Sequence, residues 1–162
     1  MDTELPEHSL PATGALADLP PEIRQQLAAA GDFVTLPEGS YLAIEGRQPE
    51  FLYVILTGSV AVRCHSHGET IDLAELGAGE TVCEMSAINP HISKSTVRTN
   101  QETHVWQIKQ EEFRAFMTGD PAVGLVIMTA LAKELCRRIH QDSERTMHMV
   151  DEVHTASYEA DI

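Results

Sequence analysis

The sequence predicts a mainly β domain, an antiparallel barrel or roll set between an N-terminal helix and a long C-terminal helix. Three observations predict it. Between Phe33 and Ile108 the apolar residues alternate in short runs, with a glycine at most of the breaks, the pattern of short strands joined by tight turns. On either side of that region the apolar spacing changes to three and four, the helical period. The 162 residues amount to one domain, enough to bury about 70% of the unfolded surface.

Taken in order, residues 1–18 are expected as a disordered or extended tail. The opening MDTELPEHSLPATG is acidic and Pro-containing, with no basic or apolar leader region, so it does not read as a secretory signal. A helix is expected over Pro20–Ala30, where Leu19, Ile23 and Leu27 fall four apart, Asp18 stands near the N-cap, a proline suits the first turn and Gly31 stops it. Strands follow at Phe33–Leu36, Ser40–Ile44, Phe51–Leu56, Ser59–Cys64, Ile71–Leu76, Ser95–Thr99 and His104–Ile108. A short segment of helical potential, Cys83–Ile88, interrupts the strand series. A further short helix is expected over Gln110–Met117, and Gly119-Asp120-Pro121 punctuates it. The whole of 19–119 reads as the roll with its small helices.

A long helix is expected from Pro121 to near Val153, with 154–162 as a frayed tail. Leu125, Met128, Ala132, Leu135, Ile139, Asp142, Thr146, Met149 and Val153 alternate spacings of three and four, an a/d seam interrupted by two polar residues. A second stripe, Val123, Ile127 and Leu131, is placed to face the roll. A seam longer than so small a roll can cover predicts a homodimer through 121–153.

Composition narrows the function classes. The net charge of −14 and a pI near 4.8 repel phosphate backbones, so nucleic acid is not an expected partner. No apolar run approaches the ~20 residues of a membrane span. Cys64, Cys83 and Cys136 are few and widely spaced, which predicts neither a zinc site nor a disulfide framework and makes a reducing cytoplasm the default. His65 and His67, two apart near a hairpin tip, lack an evident third metal ligand. No nucleophile–base set stands out, and an enzyme is not expected.

The organising stretch is GETVCEMSAINPHISKSTVRT, Gly79 to Thr99. A Gly-Glu turn leads to a short helix start, where outward N–H groups form a small anion cup. The run Phe33–Val62 resembles the cyclic nucleotide-binding domain of catabolite-activator-like regulators and protein kinase A regulatory subunits. The resemblance lies in Leu36, Gly39, Gly46, the Leu52-Tyr53-Val54-Ile55-Leu56 strand, Gly58, Val60 and Val62. The family's phosphate-binding cassette follows in place: Gly79-Glu80 opens it, Glu84-Met85-Ser86 is its core and Ser95-Thr96-Val97-Arg98 leads out. With Phe113 and the long helix, the resemblance spans Leu19 to Ile139.

That resemblance implies a double-stranded β-helix, or jelly roll, and a cyclic nucleotide, cyclic AMP or cyclic GMP, as ligand, with no metal. It implies a ligand-binding set of Gly79, Glu80, Val82, Cys83, Glu84, Met85, Ser86, Ser93, Lys94, Ser95 and Thr96. Glu84 matches the glutamate that holds the ribose 2′-hydroxyl, and Ser86 the small residue that lets the backbone cup the phosphate. At two positions the sequence departs from the pattern. Cys83 stands at the family's glycine, and Ser93 at the arginine that neutralises the cyclic phosphate. Lys94 takes that place only if the loop slips by one residue, which turns a strand side chain to the other face. Arginine meets a phosphate with two parallel charge-assisted hydrogen bonds, which lysine cannot reproduce. Glu84 is therefore either a ligand residue or a cap of its own helix, and Arg98 reads as a rim charge.

Two functions are consistent with this. One is a stand-alone sensor of a small anionic effector that signals through the long helix. The other is a degenerate, dimeric module that contacts a protein partner. The roughly ten residues after Val150 are too few for the helix-turn-helix of the family's transcription factors.

Overall fold

A computed structural model describes residues 8–159, with side chains to 153. The α-helices are α1 (Pro21–Ala30), α2 (Glu84–Ile88), α3 (Gln110–Gly119) and α4 (Pro121–Glu159). The strands are β1 (Asp32–Leu36), β2 (Tyr41–Ala43), β3 (Phe51–Thr57), β4 (Val60–Ser66), β5 (Glu69–Leu76), β6 (Thr81–Val82), β7 (Thr96–Thr99) and β8 (Thr103–Lys109). Two four-stranded antiparallel sheets, β1-β8-β3-β6 and β2-β7-β4-β5, face each other. They form a roll and not a closed barrel.

The two-residue period of the strands divides the core. On β3, Tyr53 and Ile55 point into the roll, where they meet Leu42, Val60, Val82, Val97 and Val105. Leu52 and Val54 of the same strand point outward to the helices, with Trp106 and Ile108 of β8 beside them. That second core also holds Leu27, Phe113, Ile127 and Leu131. The Trp106 indole is fully buried, so its N–H needs a partner; it donates to the Ala28 carbonyl at 3.3 Å.

Apart from the C-terminal end of α4, the strand and helix expectations are met within two residues at each end, with two additions. Thr81–Val82 forms the short strand β6 on β3, too brief to show a period in the sequence. The other addition corrects the tail expected over 1–18. Leu10, Ala15 and Leu16 are buried, and Gly14–Leu16 makes a 3₁₀ turn against the start of the cassette. Ala15 N–H donates to the Gly79 carbonyl at 3.2 Å, and a methyl group on Gly14, at φ 55°, would collide with that same carbonyl. Leu10 and Leu16 join the helix-side core, so burial ties this segment down. Residues 1–7 of the expected tail lie outside the described residues. Asp18 does not cap α1, whose N-cap is Pro20; it pairs with Lys133 on α4 at 3.3 Å.

The helix α4 continues to Glu159, beyond the fraying point expected at 154. Its inward stripe of Ile127, Ala130 and Leu131 is buried, with Val123 packed on the same core. Its a/d seam is half-buried only at Met128 and Leu135: Leu125, Ile139, Met149 and Val153 are 59–69% exposed, and every residue from 139 to 153 is exposed. Among the described residues no helix is long and apolar enough to cross a membrane, and no group of three or more His, Cys, Asp or Glu could hold a metal ion.

Candidate functional site

The residues singled out in the sequence divide among three roles. Gly79 and Glu80 build the turn. Gly79, at φ 86°, donates its N–H to the Ile55 carbonyl, the Glu80 carbonyl accepts Ile55 N–H, and the Glu80 carboxylate accepts from Gly77 N–H at 2.8 Å. Val82 is a core residue, 3% exposed. Cys83 precedes α2, which carries Glu84, Met85 and Ser86, and Ser93 to Ser95 lead into β7 at Thr96. Met85 is exposed.

Cys83 has φ 67° and ψ 20°, the left-handed region that glycine enters without strain. Its carbonyl accepts Ala87 N–H, and no side chain caps α2. Burial, then the neighbouring charge of Glu84, pushes the Cys83 thiol up to about 12. It is therefore a neutral thiol at physiological pH and adds no charge beside Glu84. A thiol-specific disulfide reagent at pH 8 is expected to leave Cys83 unlabelled in the folded protein and to label it fully in urea, read by mass spectrometry of the peptides. Labelling of Cys83 as fast as that of exposed Cys136 would contradict this.

Glu84 is 4% exposed, and a buried carboxylate needs a charged partner. The partner is Arg138 of α4, not the helix's own amides. Arg138 Nη1 donates to Glu84 Oε1 at 2.7 Å, and its Nη2 to the Thr81 carbonyl at 3.0 Å and the Thr81 hydroxyl at 3.2 Å. Its Nε donates to Glu134 at 3.1 Å. Arg137 holds Glu134 with a forked pair of bonds. That hydrogen bonding, aided by both guanidinium charges, keeps the Glu134 carboxyl below the usual carboxylate range despite burial. Two carboxylates and two guanidiniums thus form one balanced cluster joining β6, α2 and α4.

Ser86 is committed as well. Its hydroxyl, 1% exposed, donates to the buried Gln110 side chain at 3.1 Å and lies 3.3 Å from the His91 carbonyl. Gln110 also donates to the Phe51 carbonyl, and Arg114 of α3 donates to the Ala87 carbonyl at the end of α2. The cassette is therefore fixed to both helices that follow the roll.

The Ser93 hydroxyl donates to the Ser95 carbonyl at 2.7 Å, and the Thr96 hydroxyl accepts Glu45 N–H at 3.0 Å. Lys94 is exposed. Arg98 is a rim charge, as its strand position indicates: it donates to the Gly39 carbonyl and lies over the Tyr41 ring at 5.3 Å. His65 is likewise engaged, its ring and N–H both bonded to Glu45. A cavity of about 190 Å³ lies elsewhere, between the 3₁₀ turn and α4, lined by Gly14, Ala15, Asp18, Ala130, Lys133, Glu134 and Arg137.

Gln110, Glu134, Arg137 and Arg138 were not singled out in the sequence. The available signal was the inward stripe of α4. Continued from Ile127 and Leu131 at spacings of three and four, it reaches Glu134 and Arg138, two charges on a face that should be apolar.

A sequence model described as the cyclic nucleotide-binding domain matches residues 33–120, more than half of the chain. Over 120 residues, 74% of the chain, the sequence is 29% identical to the Pycsar effector protein XpPycTIR of Xanthomonas perforans, and it spans 38% of that protein. Among solved structures, the N-terminal domain of a Streptomyces coelicolor transcriptional regulator is similar at 26% identity and a TM-score of 0.67, over 76% of this chain and 89% of that one. A cyclic nucleotide-binding domain from Methylobacillus flagellatus is similar at a TM-score of 0.74 and 22% identity, over 79% and 72%.

Proposed function

Because the chain belongs to the cyclic nucleotide-binding domain family, we propose that it is a regulatory module that binds a small anionic, ribose-bearing effector of the cyclic nucleotide class. The effector enters the cup beside Glu84, and the event passes to α4, through which two copies associate. One observation carries this reading: the cassette glutamate is bonded directly to the long helix through Arg138. A ribose hydroxyl arriving at Glu84 changes the partner set of a helix residue, and the helix position then depends on the ligand's differential affinity for its two placements. The similarity to a protein named as an effector supports a sensing role. The reading gives the chain no chemistry of its own.

One feature favours the alternative, a dimeric module that acts on a protein partner without a nucleotide: the Ser93 hydroxyl, turned back onto Ser95, sits where the family's phosphate arginine would be. Thermal unfolding with the four 3′,5′-cyclic nucleotides separates the two. A saturable rise in Tm with at least one of them is expected, since a ligand at 100 times its Kd stabilises by about 2.7 kcal/mol. No rise at millimolar concentration with any of the four leaves the interaction module.

A further inference from the structure

The cassette lacks its strand arginine, but another arginine stands across from the gap. The ladder between β2 and β7 has its last regular pair at Ala43 and Val97 and then continues irregularly. Glu45 N–H donates to the Thr96 hydroxyl, Gly46 N–H to the Ser93 carbonyl at 2.9 Å, and Ser93 N–H to the Arg47 carbonyl at 2.9 Å. These bonds place the backbone of Arg47 directly against that of Ser93. The turn itself is tight: Arg47 N–H donates to the Ile44 carbonyl at 3.0 Å, with Gly46 at φ 82°.

Arg47 is exposed, and among the described residues its guanidinium has no hydrogen-bond or ion-pair partner. The other arginines around the cassette are engaged: Arg137 and Arg138 with two carboxylates, Arg114 with the end of α2, Arg98 with Gly39 and Tyr41. Glu45, the acidic neighbour of Arg47 two residues back, is held by His65. We propose that Arg47 is the cation that receives the ligand's anionic group in this chain, so that the β2–β3 turn and Glu84 hold the effector between them. This rests on the ligand-binding reading above and names its phosphate partner. A planar guanidinium offers five donors in a fixed fork that suits phosphate, and here no existing bond must break to use it. Lys94, also exposed and beside Ser93, contributes only a point charge.

Isothermal titration of the full chain tests this, using the four 3′,5′-cyclic nucleotides with adenosine and guanosine as uncharged probes. Arg47→Ala is expected to weaken the tightest cyclic nucleotide by about 10- to 100-fold and to flatten its salt dependence. Arg47→Glu should abolish binding, while Lys94→Ala changes affinity by less than about threefold. Unchanged circular dichroism shows that the variants fold. If the wild type binds a cyclic nucleotide and Arg47→Ala binds it equally well, the assignment of Arg47 fails and the sensor reading stands. If Lys94→Ala loses binding and Arg47→Ala keeps it, the charge belongs to Lys94 and the proposal is overturned. Nucleosides that bind as tightly as their cyclic phosphates overturn it as well. A wild type that binds none of the four overturns both the sensor reading and the proposal.

Discussion

Arg138→Ala is expected to destabilise the domain by about 3 kcal/mol, because it strips the partner from a carboxylate in a place with little water. The Glu84 side chain is 6% exposed and that of Glu134 7%, and Arg138 bonds both. The same substitution frees the Thr81 carbonyl and hydroxyl. Chemical denaturation followed by far-UV circular dichroism measures the loss; a change under about 0.5 kcal/mol, typical of an exposed ion pair, would show that the cluster is a surface feature. The cluster should also weaken in acid. The Glu134 carboxyl is held below its ordinary range, so its contribution is present above the unfolded-state value and is lost as pH falls through the folded-state one.

Ile139→Glu is expected to convert a dimer into a monomer. Ile139 is 63% exposed at the centre of the seam, and from there to Val153 every residue of the helix is exposed. The 39 residues of α4 extend about 58 Å at 1.5 Å per residue. An unsupported helix of a dozen residues or so is marginal in water, so the seam needs a second apolar surface. A glutamate on each copy would bring two like charges into that surface. Light scattering coupled to size exclusion reads the outcome: the wild type should have twice the 17.8 kDa of one chain, and the variant once. A wild type at the mass of a single chain would remove the helix from the association.

The fold was largely legible because two periods write it. The unbroken apolar run Leu52-Tyr53-Val54-Ile55 marks a strand with both faces buried, and its residues divide by the two-residue period between the two cores. The stripe of Val123, Ile127 and Leu131 marked the packed face of α4 for the same reason. What stayed hidden was hidden by brevity or by distance. Thr81–Val82 is too short to show any period, and the docking of Leu10 and Leu16 depends on a turn meeting Gly79 some sixty residues away. At the site, Glu84 could be found by its place in the cassette, but its partner could not. A helix cap and a ligand hydroxyl were the local options, whereas Arg138 lies 54 residues on, and only tertiary packing brings it there. The pairing of Arg47 with Ser93 is equally nonlocal: it follows from the strand ladder.

The coupling of cassette to helix is tested most directly by a double-mutant cycle on Glu84→Gln and Arg138→Met, with each variant's stability measured in urea. The two side chains in contact predict a coupling of about 2 kcal/mol, the double variant losing much less than the sum of the single losses. Losses that add to within about 0.5 kcal/mol would mean that the glutamate and the arginine act independently, and that α4 is not tied to the cassette.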